Sequence, residues 1–273
     1  MSEQEIYGDT AYYGVELINR SGNGALPVGE HDFAEAMDRC VLVDKTMFIA
    51  DVLDADASVV VCCRPEGFGK SMNLSMLRAF LERPTVGQVD RGLFAGSQIW
   101  DADGGRYRDK FARYPVISLD FSDAARRGAA VASVVRDALS RECARLLPLL
   151  EAPDLPRDKM RHIERAARGV ASESEVDSVL GVLIELLEMA CDEQVVLLVD
   201  GYDAAWLSRF AMRDACGSCP AELLDRVLFD AIAAAGDSLR LACLMGEHPC
   251  PAETALSLRG CSYCMSTPLS GWC

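Results

Sequence analysis

The chain has 273 residues, half of them hydrophobic, and a formal net charge of −15 at pH 7. That length and apolar content support a sizeable core, so disorder is not the default. The acidic balance argues against general affinity for DNA, RNA or anionic membrane, all of which need a basic surface.

Arg126-Arg127 and the arginines of 157–168 are the best local basic patches, and they read as solvated helix faces. No run of eighteen uncharged apolar residues occurs; the nearest, 179–190, is broken by Glu185 and Glu188, so no membrane span is expected. Residues 1–5 are acidic and lack the apolar centre of a secretory leader, which makes the cytoplasm the expected compartment.

Residues 1–25 are polar and Gly-rich without a clear period and read as an N-terminal tail; structure is expected from Leu26-Pro27. A short amphipathic helix over 31–38, an extended piece over 40–43 and a helix over 45–53 capped by Asp44 come next. The apolar run Val59-Val60-Val61-Cys62-Cys63 then reads as a strand. It leads into Arg64-Pro65-Glu66-Gly67-Phe68-Gly69-Lys70-Ser71 and on into a helical pattern through Phe80. Strand, glycine-containing turn and Lys-Ser at a helix start are the context of a phosphate-binding loop. Loop N–H groups would surround phosphates, Lys70 would neutralise the β/γ oxygens, and the Ser71 hydroxyl would ligate Mg²⁺. Arg64 stands where the general pattern has glycine, and Gly67 is the residue available to compensate.

Pro84 stops the loop helix, and the Gly/Asp-rich stretch 87–105 reads as a surface excursion. A strand follows at 114–121. Helices are expected over 129–150, 157–168 and 175–190, the last capped by Ser172 or Ser174. Residues 194–200 form a continuously apolar run closed by Asp200, as in a strand covered on both faces of a parallel sheet. A helix over 220–235 leads to a strand over 239–245. Alternating strands and helices give an α/β three-layer fold with a mainly parallel sheet and a helical insertion between the second strand and the strand ending in Asp200. Asp200 sits where a Walker-B aspartate holds Mg²⁺, at the carboxyl end of a parallel strand.

These elements, in order, resemble the AAA-ATPase-like proteins, a bacterial P-loop family. The family pattern runs L-P-I-G, F, Y-V-D-K-T, R-P-R-R-F-G-K-S, P-V-I and L-I-D-E-Y-D. Here it reads LPVG from Leu26, Phe33, VDKT from Val43, RPEGFGKS from Arg64, PVISLDF from Pro115 and LVDGYD from Leu198. The resemblance covers about 26–246 and makes Arg64-Pro65 an expected feature. It leaves residues 247–273 as a Cys/Pro/Ser-rich C-terminal tail. It implies ATP and Mg²⁺ as ligands, with Arg64, Pro65, Gly67, Phe68, Gly69, Lys70, Ser71 and Asp200 at the nucleotide and Ser71 and Asp200 at the metal. It also implies a strand order in which the Walker-B strand does not directly neighbour its sequence predecessor.

Three departures bear on chemistry. Glu66 and Gly67 replace two arginines beside the phosphates, Gly201 replaces the glutamate that activates water, and Met245 replaces a polar γ-phosphate sensor. The chain also stops where relatives continue into a helical region, so an incomplete lid is expected and no nuclease activity is inferred. A positioned general base is worth about 10²–10⁴ in rate, so losing it affects hydrolysis far more than binding. Asp203, Asp120 and Glu247 are candidate replacement acids. The expectation is an ATP/Mg²⁺-binding protein with weak or lost hydrolysis; the alternatives are an active ATPase using a replacement acid and a non-enzymatic interaction or zinc-stabilised module. A protein partner or self-association has no sequence signature here.

Of twelve cysteines, Cys62, Cys63, Cys143, Cys191 and Cys243 fall in predicted strands or helices and read as packed thiols. Cys216 and Cys219 form one C-x-x-C and Cys261 and Cys264 another, with His248, Cys250 and Cys273 nearby. Two such knuckles are candidate zinc ligands, but they lie farther apart than in common zinc ribbons, and reduced unliganded thiols are the alternative.

Overall fold

The computed structural model describes residues 16–20, 22, 24–85, 87, 89–123, 131–204, 223–249 and 263–266. Its centre is a five-stranded sheet in the order β4-β5-β6-β3-β7, formed by β3 (Val59–Cys63), β4 (Val116–Asp120), β5 (Val195–Asp200), β6 (Leu239–Gly246) and β7 (Tyr263–Ser266). All its pairings are parallel.

Side chains alternate across a strand, so a continuously apolar strand needs a core on each face. In β5, Val195, Leu197 and Val199 enter one core, where α5 (Val131–Leu146), α6 (Arg157–Ala167), α7 (Glu173–Cys191) and α8 (Ala231–Ala235) pack. Val196 and Leu198 enter the other, with α1 (Phe33–Arg39), α2 (Met47–Asp54) and α3 (Lys70–Leu81). All five of these β5 residues are fully buried. The result is the expected three-layer α/β fold, with α5 to α7 as the helical insertion.

The elements follow the sequence reading closely, with local differences. Thr46 precedes α2 as its N-cap, and Asp44 acts one step earlier: its Oδ1 accepts from the Thr46 N–H and hydroxyl at 2.8 and 2.6 Å. Ser172 caps α7 in a reciprocal box with Glu175. The expected helix over 220–235 appears as π-helix from Asp225–Asp230 running into α8, while 220–222 lie outside the described residues.

Three readings are corrected. The strand read as Walker-B, β5, does neighbour its sequence predecessor β4; the strand set apart is β3, which is separated from β5 by β6. The Gly/Asp-rich stretch 87–105 is no mere surface excursion. It buries Phe94 and Ile99 completely, and Phe94 stacks on Phe33 at 5.3 Å and meets Phe80 edge-on at 5.1 Å. Finally, both segments read as tails contribute strands. β1 (Leu17–Asn19) pairs antiparallel with β2 (Val41–Val43), and β7 pairs parallel with β3.

Candidate nucleotide site

The site forms where β3, β5 and β6 end together. The loop after β3 is tied at its start to the end of β6, because the Arg64 N–H donates to the Gly246 carbonyl at 3.0 Å. Gly67 and Gly69 both take left-handed φ, +84° and +73°, which L side chains rarely adopt. No heavy atom lies within 4 Å of an added Cβ at either, so the turn and not crowding demands glycine. Gly69 is the N-cap of α3 and no side chain caps that end, which leaves the first N–H groups of a 12-residue helix open to an anion.

Lys70 folds back over the loop. Its Nζ donates to the carbonyls of Arg64 and Pro65 at 2.9 and 3.0 Å and lies 3.9 Å from Glu247 Oε1. Ser71, in the first turn of α3, donates its hydroxyl to Asp200 Oδ2 at the end of β5. Burial pushes the Asp200 carboxyl above the ordinary carboxylate range; the Ser71 hydrogen bond opposes this, neighbouring Asp120 adds to it, and Lys70 pulls back. Asp120 is the register partner of Asp200 on β4.

A cavity of about 740 Å³ opens above these groups. Its polar lining includes Gly67, Gly69, Lys70, Ser71, Asp200 and Glu247, and its apolar lining includes Leu26, Pro27, Phe33, Val41, Met72 and Met76. Ligand pockets fall in this size range and combine apolar walls with a few placed polar groups. Phe68 also lines the cavity and is half-exposed. Arg64 and Pro65 reach the site through their carbonyls, and the Arg64 guanidinium turns back to the Cys63 carbonyl at 3.0 Å.

The structure separates the three candidate acids. Asp203 is buried, 2% exposed, and its Oδ2 accepts from the backbone N–H groups of Glu247 and His248 at 2.9 and 2.8 Å. Asp120 is exposed, and its Oδ1 accepts from the N–H and hydroxyl of Ser122 at 2.9 and 2.6 Å. Glu247 is exposed, lines the cavity and faces Lys70. Gly201 has φ +66°, and a Cβ there would lie 2.8 Å from the Ser122 nitrogen and 2.9 Å from its Cα.

Several contributors carry no motif. The apolar lining draws on Val41 and Met76, and Ser122 lines the cavity from beyond β4. The Gly246-Glu247-His248 turn is tied down by Asp203 and by the Tyr202 hydroxyl, which donates to the His248 carbonyl. Only the glycine before Glu247 hints at this, since a Cβ at 246 would lie 2.5 Å from the Tyr202 ring.

Of the zinc candidates, Cys216, Cys219 and Cys261 lie outside the described residues, as do Cys250 and Cys273, and Cys264 is placed only as a backbone position in β7. Among the described residues no group of three or more His, Cys, Asp or Glu is arranged to hold a metal, and no helix is long and apolar enough to cross a membrane. The thiols of Cys143 and Cys243 are buried, and their pKa values are raised, the former to about 12 by burial and the latter first by Cys62 and then by burial. Both are packing residues and not nucleophiles.

Comparison with curated proteins gave no match, and neither did comparison with solved structures. A family model described as a predicted AAA-ATPase matches residues 27–252. That span holds the loop, Ser71 and Asp200, the Glu247 turn and most of the sheet around them, and the chain belongs to the AAA-ATPase-like family.

Proposed function

We propose that the domain over about 26–246 binds ATP with Mg²⁺ and hydrolyses it slowly or not at all. The observation that carries this reading is the hydrogen bond from the Ser71 hydroxyl to Asp200, directly beside Lys70 and the uncapped start of α3. A hydroxyl and a carboxylate are the hard oxygen donors that Mg²⁺ takes, so these residues fit the metal. When bound, the ion would neutralise charge on the phosphate oxygens. The loop and helix N–H groups would hold the phosphates, Lys70 would engage their outer oxygens, and the apolar lining from Leu26 to Met76 would receive the base.

Slow turnover follows from the acids. Gly201 supplies no carboxylate, and Asp203 spends Oδ2 on two backbone N–H groups. A second reading, hydrolysis through a replacement acid, is favoured by the cavity lining: Glu247 stands there beside Lys70, and Asp203 also borders it. Under that reading Glu247→Gln abolishes turnover while Asp120→Asn does not.

The primary test is titration of a fluorescent ATP analogue with Mg²⁺ into wild type and Lys70→Ala. Binding is expected to weaken at least tenfold on losing the ammonium, in line with a charge-assisted contact worth ~1.5–3 kcal/mol. Equal affinity would sink the binding claim, and an absence of binding to the wild type would support an interaction module instead. Phosphate release within the ordinary ~1–10³ s⁻¹ range would sink slow hydrolysis.

A further inference from the structure

We infer that Glu247, held in place by Asp203, makes this site discriminate by phosphate number, favouring a nucleoside diphosphate over the triphosphate. The inference rests on the nucleotide-binding reading above. It begins with the donors of Lys70. An ammonium has three N–H groups. Two point to the Arg64 and Pro65 carbonyls, and the Glu247 carboxylate stands 3.9 Å away on the cavity side. A loop lysine reaches the β- and γ-phosphates, and the γ-phosphate is the outermost of them. Glu247 therefore occupies the approach that a γ-phosphate oxygen needs.

On a loose loop the backbone would carry the carboxylate away from Lys70, but here the side chain swings from a fixed root and stays within reach of the ammonium. The N–H groups of Glu247 and His248 both donate to Oδ2 of buried Asp203 at 2.9 and 2.8 Å. The Tyr202 hydroxyl donates to the His248 carbonyl, and the Gly201 and Tyr202 N–H groups donate to the Met245 carbonyl at 2.9 and 3.2 Å. Gly246 packs so closely that a Cβ would meet the Tyr202 ring at 2.5 Å and Asp203 Oδ1 at 2.7 Å. The turn cannot open without breaking this set. The pair is also shielded on one side, with the Lys70 side chain 13% exposed against 39% for Glu247.

The consequence is electrostatic. The α- and β-phosphates take most of their donors from the loop and helix N–H groups, so a diphosphate can bind with Glu247 still beside Lys70. A triphosphate must part that pair and set its most charged group beside a carboxylate. Like charges within about 5 Å near a protein surface repel by enough to change affinity ~10-fold or more. Glu66, which also lines the cavity, carries the same sign.

The test is calorimetric titration of Mg²⁺·ADP and of Mg²⁺ with the β,γ-imido analogue of ATP into the full chain. Wild type, Glu247→Gln and Glu247→Asp are compared, with thermal melts confirming that each variant is folded. Wild type is expected to bind ADP about tenfold or more tightly than the analogue. Glu247→Gln should bring the two within about threefold, chiefly by tightening the analogue, and Glu247→Asp should keep the ADP preference. Equal or tighter binding of the analogue by wild type overturns the inference, as does a ratio that Glu247→Gln leaves unchanged. Failure of wild type to bind either nucleotide overturns instead the nucleotide-binding reading beneath it.

Discussion

At Gly201 the backbone turns left-handed with φ +66°, and the space a Cβ would fill belongs to the Ser122 main chain at 2.8 Å. The missing glutamate is therefore bound up with a close approach of two strand ends. Gly201→Glu should lower unfolding stability by roughly 1–3 kcal/mol, the cost of a non-glycine residue held in a strained backbone region. Denaturant titration checks the loss, and phosphate release should not rise. A variant as stable as wild type and faster in turnover would contradict both. Asp200 gives a second prediction at this scale. Its carboxyl is raised by burial, so the folded state keeps a proton that the unfolded chain has released. Its contribution to stability is thus fully present below the ordinary carboxylate range and is lost as pH rises through the raised value. Asp200→Asn should remove that slope, leave the unliganded melting temperature at neutral pH no lower than wild type, and abolish Mg²⁺-dependent nucleotide binding. Melts across pH 3–7 and a Mg²⁺ titration measure the two effects.

Among elements, the edge of the sheet farthest from the loop is fixed by a buried ionic network. Glu142 on α5, 5% exposed, accepts from the Ser118 N–H on β4 at 2.6 Å and from Arg145 Nη2 and Nε at 2.6 and 2.9 Å. Arg145 in turn donates to the Val116 carbonyl at 2.7 Å and to Glu82, just past α3, at 2.5 Å. Truncating Glu142 leaves the half-buried Arg145 guanidinium with Glu82 as its remaining carboxylate partner and strips the Ser118 N–H of its acceptor, so Glu142→Ala should cost about 1–3 kcal/mol, and Glu142→Gln clearly less. Equal destabilisation by both would point to lost volume, not lost charge. Elements of this kind were legible to different degrees. β5 and β6 announce themselves as unbroken apolar runs, and α7 by its Ser172 cap. β1 spans only Leu17–Asn19 and β7 only Tyr263–Ser266, too short for periodicity to mark them. The stretch around Phe94 was misread because glycine and aspartate density signals loops. Its few aromatic and aliphatic residues, spaced across a 3₁₀ turn and the short helix α4 (Gln98–Asp101), nevertheless close the core against Phe33 and Phe80.

For the whole molecule, the layer architecture and the half of the site built from Gly69, Lys70, Ser71 and Asp200 could be read from sequence, because local motif and strand context each specify where a group goes. Of the other half, Glu247 and Asp203 can be named from sequence as candidate acids, but not their placement. Glu247 meets Lys70, and Asp203 pins the turn that carries it, only because β6 lies between β3 and β5, an adjacency with no local signature. The apolar lining at Leu26 and Val41 arises the same way, from segments that precede the loop in sequence and fold back across its mouth.

That placement of β6 also sets an order of events during folding. The loop strand β3 finds its hydrogen-bonded neighbours only in β6 and β7, so Val59 waits for Ala242 and Tyr263. Contacts this distant in sequence are costly to close and slow to form. On a ribosome, β4 and β5 can pair early, whereas β3, made long before either, stays unpaired until residue 246 has emerged. The loop after β3 is therefore synthesised well before the strands that hold it and should acquire its shape late.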